Sequence, residues 1–153
     1  MAEFTLLPLA WVVSTRTVTE DDAWDQERSS LVLDDAVPTE ALIGIASFSH
    51  LEIIAVAHRV VDGANVRWSR RPRGRTDWPE QGVFAQRNKD RPNRLLSTTV
   101  QLLAVDGREL HVRGLDLIDG TPVVDIKPVF RWTGPRTPVV APEWSDELGR
   151  DYF

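Results

Sequence analysis

Three carboxylates and a lysine crowd one short stretch, Asp116-Leu117-Ile118-Asp119-Gly120-Thr121-Pro122-Val123-Val124-Asp125-Ile126-Lys127-Pro128. Asp119-Gly120 reads as a tight turn. After it the residues alternate, so Val124 and Ile126 are predicted to face one way and Asp125 and Lys127 the other. Opposite charges on one strand face can pair. Buried, such a pair is costly unless it has a task or further hydrogen bonds. Exposed, it is an ordinary surface pair. A carboxylate beside a turn of free backbone N–H groups suits a sugar hydroxyl or an adenine edge. Chemistry and plain surface pairing both stay open on these residues alone.

A second stretch runs Gly82-Val83-Phe84-Ala85-Gln86-Arg87-Asn88-Lys89-Asp90-Arg91-Pro92-Asn93. A glycine and an aromatic lead into a polar loop with two arginines. Arginine's planar fork can grip a carboxylate or phosphate. The alternative is a surface loop whose arginines bond its own carbonyls. Phe48-Ser49-His50 is a third, weaker element. His58 and His111 fall on predicted strands and read as structural.

Several chemistries are missing. The chain has no cysteine, which removes thiol nucleophiles, disulfides and cysteine-bearing metal sites. Its three histidines are not spaced as a metal pair, so no metal site is expected. GxGxxG, P-loop and GxSxG patterns are absent. No apolar run reaches the roughly 18 residues of a membrane span. Leu6 to Val13 is broken by Pro8 and preceded by Glu3, unlike a signal peptide. The expectation is a cytoplasmic protein with no membrane partner.

The elements that must position these residues are short. The 153 residues suit one domain, and 42% hydrophobic with 27% charged is a globular balance. Strands are predicted over Trp11–Val18, Leu31–Leu33, Leu51–Val61, Thr98–Val105, Glu109–Val112 and Val123–Lys127, with a helix as the alternative over Leu51–Val61, whose length suits both. Asp106-Gly107 supplies the best hairpin signal. Thr39 to Ile45 reads as a short helix capped by Thr39 and ended by Gly44. Residues 70–80 form a loop. The prediction is an all-β fold: a compact single-domain β-barrel with few short helices and an extended C-terminal arm. Residues 1–130 make the barrel domain. The proline-rich arm spans 131–153, with a short helix near Trp144 to Leu148 stopped by Gly149. Trp132, Trp144, Tyr152 and Phe153 give the arm anchors for docking, across a dimer included; a frayed end is the alternative.

Charge is uneven. Arg67 to Arg94 holds nine basic residues against three acidic ones, while the remainder holds nine against twenty. Such a segment attracts anions, RNA included. It can equally be a wet loop whose arginines pair with acids elsewhere.

Phe48 to Glu52, Gly82 to Thr98 and Asp116 to Val129 together resemble the TrmO-like (TsaA-like) family of S-adenosylmethionine-dependent methyltransferases. Its pattern runs roughly FSHLW, GVFATRSPxRPNPIGLS and DLLDGTPVLDIKPY, in the same order. The resemblance spans about Leu6 to Phe130. It implies a β-barrel, a homodimer, S-adenosyl-L-methionine as cofactor and N6-methylation of threonylcarbamoyladenosine in the tRNA anticodon loop. On that basis Asp125, Lys127 and Asp119 are the catalytic candidates. Phe84, Ala85, Gln86, Arg87, His50, Leu115, Asp119, Gly120, Thr121 and Pro122 are the cofactor candidates, with Phe84 or Leu115 as an apolar wall. Arg91, Asn93 and Arg94 are the acceptor candidates. Arg94-Leu95-Leu96 departs from the family's Pro-Ile-Gly. Gln86 replaces its Thr, Asn88 its Ser, Lys89 its Pro, and Glu52 a common aromatic. The extra C-terminal domain of longer bacterial members is missing. These departures leave a small-molecule acceptor, or a non-catalytic cofactor-binding module, as alternatives to tRNA.

Overall fold

A computed structural model describes residues 2–61 and 66–153. Its strands are β1 (Ala10–Val13), β2 (Arg28–Leu33), β3 (His50–Val56), β4 (Ser69–Arg70), β5 (Gln81–Gly82), β6 (Leu95–Asp106), β7 (Glu109–Arg113) and β8 (Pro122–Pro128). Six close a barrel in the order β1-β2-β7-β6-β3-β8, every pairing antiparallel. Closure removes free strand edges. The pair β4–β5 makes a separate small ribbon.

Strand alternation fills the barrel. Leu51, Ile53 and Ala55 point inward from β3 and are fully buried, as are Leu31, Leu110 and Val123 from neighbouring strands. Asp106 pairs with Glu109, so the β6–β7 hairpin turns on Gly107-Arg108. Gly107 takes the positive φ (56°) such a loop needs.

The alternation predicted for β8 is broken. Ile54 pairs with Asp125 and Ala55 with Val123, leaving Val124 as the extra residue of a bulge. The inward residues are therefore Val123 and Ile126, not Val124 and Ile126. Asp125 and Lys127 still share the outer face.

Other elements shift as well. β1 ends at Val13, because Ser14 and Arg16 turn away to bond Asp119 and Glu27. β3 stops at Val56, which puts His58 in an exposed turn rather than on a strand. The predicted helix over Thr39–Ile45 is two 3-10 turns, Thr39–Leu42 and Ile45–Ser47. Gly44 sits between them at φ 83° and opens the second turn. Pro38, not Thr39, precedes the first.

The arm carries α1 (Glu143–Gly149), whose last residue is Gly149. It docks on its own chain. Trp144 meets Trp78 with ring centroids 6.2 Å apart. Trp78 Nε1 donates to Glu147 (3.1 Å), and Tyr152 Oη donates to Asp116 (2.6 Å). Backbone N–H groups of Ala23 and Trp24 bond Asp151 and Tyr152 (both 2.9 Å). No helix among the described residues is long and apolar enough to cross a membrane.

Candidate functional site

Strand register brings parts of all three motif segments onto one outer face. On β8, Asp125 lies opposite Ile54 and Lys127 opposite Glu52. On the other side of β3, Ile54 lies opposite Ser97 and Glu52 opposite Thr99 of β6. Arg87 reaches this face from its loop, donating to the Ser97 carbonyl (2.9 Å) and hydroxyl (3.2 Å). Lys127 and Asp125 form an ion pair, with side chains 58% and 41% exposed. The pair therefore stands outside the barrel, where solvent screens it. The hydrogen bond to Asp125, then its charge, raises the Lys127 pKa. Lys127 is thus a fixed cation and not a proton acceptor near neutral pH.

The turn from Asp119 to Pro122 is built differently from the expectation. Its backbone N–H groups are not free. Asp119 N donates to Arg16 O (2.8 Å), Gly120 N to Val12 O (2.8 Å) and Thr121 N to Ile118 O (3.2 Å). The first two stitch the turn to β1 and the residues just after it, and the third closes the turn on itself. Gly120 takes φ 76°, a conformation glycine adopts at little cost. Thr121 is buried, and its hydroxyl donates to Ile118 O (2.7 Å). Pro122 opens β8 opposite Trp11. What the turn offers a ligand is the Asp119 carboxylate. One of its oxygens accepts from Ser14 N at 3.0 Å.

The loop of the second segment folds largely onto itself. Gln86 is buried, and its amide donates to Arg70 O (3.1 Å) and Gln81 O (2.9 Å). Arg91 Nη1 donates to Val83 O (3.0 Å) and Gln86 O (2.5 Å). Arg94 takes φ 55° and donates to Val60 O (3.0 Å). Asn93, Ala85 and Phe84 are exposed, Phe84 strongly so, while Leu115 is a fully covered core residue. An exposed ring and a covered one offer different walls; only Phe84 presents its side chain to solvent.

His50 starts β3, at the opposite end from Asp119 and Arg94. Ser49 Oγ lies 2.8 Å from its Nδ1. Two open pockets flank this point. One, of about 250 Å³, is lined by Asp25, His50, Thr99, Gln101, Arg113 and Phe153 with Gly114. The other, of about 480 Å³, is lined by Phe48, Phe130, Arg131 and Trp132, with Ser47, Ser49 and Val129. Thr99, Gln101 and the Arg113–Asp25 ion pair (2.8 Å) were not candidates from sequence. Period two along Thr98–Val105 marks Thr99 and Gln101 as outward polar residues, but only pairing with β3 places them beside His50.

Much of the basic segment is consumed internally. Arg70 and Lys89 bridge to the buried Asp90 (3.0 and 3.1 Å). Arg73 grips Asp22 through both terminal nitrogens (3.2 and 2.7 Å). Arg75 bonds Asp77 and lies 3.6 Å from Glu147. Arg71 caps the carbonyls of Thr76 and Trp78. Among the described residues no group of three histidine or carboxylate side chains could hold a metal ion.

Residues 17–133 match the family model described as the tRNA-methyltransferase O N-terminal domain. The chain is 42% identical over 93 residues to the tRNA (adenine(37)-N6)-methyltransferase of Escherichia coli K12, covering 58% of this chain and 39% of that protein. It is 35% identical over 117 residues to an S-adenosyl-L-methionine-binding protein of Archaeoglobus fulgidus, covering 76% of this chain and 83% of that protein. A crystal structure of TrmO from Pseudomonas shares the fold, with a TM-score of 0.75 at 23% identity, over 94% of this chain and 62% of that one. The chain spans well under half the length of the tRNA methyltransferases it matches, 21% of the mouse protein for example.

Proposed function

The chain belongs to the tRNA-methyltransferase O N-terminal domain family, and we propose that it transfers a methyl group from S-adenosyl-L-methionine to N6 of the adenine at position 37 of tRNA. We assign threonylcarbamoyladenosine as the modified acceptor, a homodimer as the working form and the cytoplasm as its place. The names of the matched relatives support the cofactor and the tRNA. The observation that carries the reading is the meeting of Asp125, Lys127, Glu52 and Arg87 on one exposed face, drawn from three separate sequence motifs.

The residues fit the cofactor's chemistry. Asp119 retains a second carboxylate oxygen beside a turn, a partner for ribose hydroxyls. Arg87 offers an exposed guanidinium for a carboxylate. When bound, the cofactor supplies an electrophilic methyl on a sulfonium. The chain must then align and dehydrate the acceptor. An acylated N6 is a poor nucleophile until its proton is relieved. Asp125 is the base or orienter for that proton, since its carboxylate is exposed and held by Lys127. Lys127, kept cationic, stabilises negative charge developing on the acceptor. Arg91, Asn93 and Arg94 act on the acceptor side, Arg91 chiefly by holding the loop's shape.

A second reading is a cofactor-binding module without turnover, or with a small-molecule acceptor. Two observations favour it: the Archaeoglobus protein, whose length this chain nearly spans, is named for binding alone, and the basic segment is largely neutralised. The deciding experiment combines calorimetric titration with S-adenosyl-L-methionine and a methylation assay on tRNA lacking this methyl, read by nucleoside mass spectrometry. Binding plus a new methyl at position 37 is the expected result. Binding with no transfer to tRNA moves the assignment to the second reading. No binding at all removes both.

A further inference from the structure

Three rings stand in a row on one side of His50. Phe48 and Phe130 are 5.5 Å apart between centroids, and Phe130 and Trp132 are 5.3 Å apart. They climb as tilted steps, at 44° and 37°, rather than closing face to face. Trp132 is 70% exposed. Exposed aromatics of this size are costly to leave wet unless a partner covers them. Phe130 and Trp132 take no part in the functional assignments above.

Their surroundings specify the partner. The pocket they line holds about 480 Å³ and includes Arg131 but no acidic side chain. Arg131 has no ion pair among the described residues. On a chain of net charge −5, a cationic aromatic step is a local exception. Flat rings beside a free guanidinium match a nucleotide, a π-face joined to a phosphate. The pocket also adjoins the site. Ser49 lines it, and the Ser49 hydroxyl bonds His50, which borders the pocket on the other side. An enzyme acting on a base must unstack it, and the flanking nucleotides then need new partners.

We propose that Phe48, Phe130 and Trp132 form a stacking platform for the unpaired RNA base next to the acceptor adenine, with Arg131 on its phosphate. This rests on the tRNA reading above. Base–aromatic stacking is sequence-tolerant, so the platform holds the strand and leaves base choice to the site.

The test uses the full chain and an anticodon stem-loop RNA, intact or abasic at the nucleotide on either side of the acceptor. Trp132→Ala should weaken binding of the intact RNA about 5- to 100-fold. Trp132→Tyr should stay within about threefold, because a ring remains. Removing the stacked base should cost the wild type as much, and the two losses should not add. Cofactor binding by calorimetry should not change. Unchanged RNA affinity in Trp132→Ala overturns the platform, as does a loss that adds fully to both abasic losses. A loss accompanied by dimer dissociation in sedimentation assigns the rings to a second copy and also overturns it. Wild-type protein that binds cofactor but no tRNA overturns the tRNA reading itself, and the platform with it.

Discussion

From Arg67 to Arg94 the chain packs nine basic side chains into 28 positions, while the outer face of β8 carries one aspartate and one lysine. The loop's charges are mostly answered at home: Arg70 by Asp90, Arg73 by Asp22, Arg75 by Asp77, Arg71 and Arg91 by carbonyls. The sparse pair on β8 instead meets Glu52 from β3 and, across β6, Arg87. Density along a sequence measures how many charges a segment must satisfy. Convergence across strands measures what is left to act on something else. The two regions differ in the second quantity, and that is the one catalysis needs.

The largest effect should come from the face. Asp125→Ala is expected to lower single-turnover methyl transfer about 10²- to 10⁴-fold, the range of a positioned base, with an unchanged circular dichroism spectrum. Full turnover in that variant would end the face's claim to chemistry. Next comes the contrast between two arginines of the loop. Arg91→Ala strips donors from two carbonyls and should cost roughly 1–3 kcal/mol in denaturant unfolding. Arg87→Ala, on an exposed face, should lower activity with a stability change under about 1 kcal/mol. Equal stability losses would erase the distinction between a loop clasp and a site residue.

A smaller effect tests the neutralised charges. Arg73→Gln should cost under about 1 kcal/mol and leave the salt dependence of tRNA binding unchanged. A slope reduced by about one would mean that Arg73 reaches phosphate despite Asp22. The smallest effect concerns the arm. Burial first, then the Asp116 carboxylate, raises the Tyr152 pKa well above the ordinary phenol range. The docked ring's contribution is therefore fully present below about pH 10 and is lost as pH rises through its raised value. Proteolysis of the arm should accelerate in that alkaline window in wild type. Tyr152→Phe should flatten the pH dependence; an unchanged profile would assign it to other groups.

Much of this was legible in the residues. Composition marked β3 and β6, alternation marked β8 apart from its bulge, and Asp106-Gly107 located the β6–β7 hairpin. That Asp125 and Lys127 share a face followed from spacing, but that the face is the outer one came only from the barrel's register. The occupied N–H groups of Asp119 and Gly120 did not follow from spacing, because their acceptors, Arg16 and Val12, lie over a hundred positions away and are set by barrel closure. Nor did the fate of the arginines, since Asp22 sits 51 positions from Arg73. Local pattern reads propensity; partners across the barrel belong to topology.

The bulge at Val124 has a consequence for how β8 can change length. On its inner side the strand must deliver Val123 to the core, and on its outer side Asp125 and Lys127 to solvent. An uninterrupted strand would put position 125 on the same side as 123. The unpaired valine acts as a phase shifter between two rulers of the same spacing. Removing it alone would leave Val123 inside and Asp125 outside, now in step. Removing Asp125 instead would let Val124 take its outward place while Ile126 stayed inward, keeping the core but erasing the carboxylate. The strand thus has one spare letter, and spelling without it preserves the message.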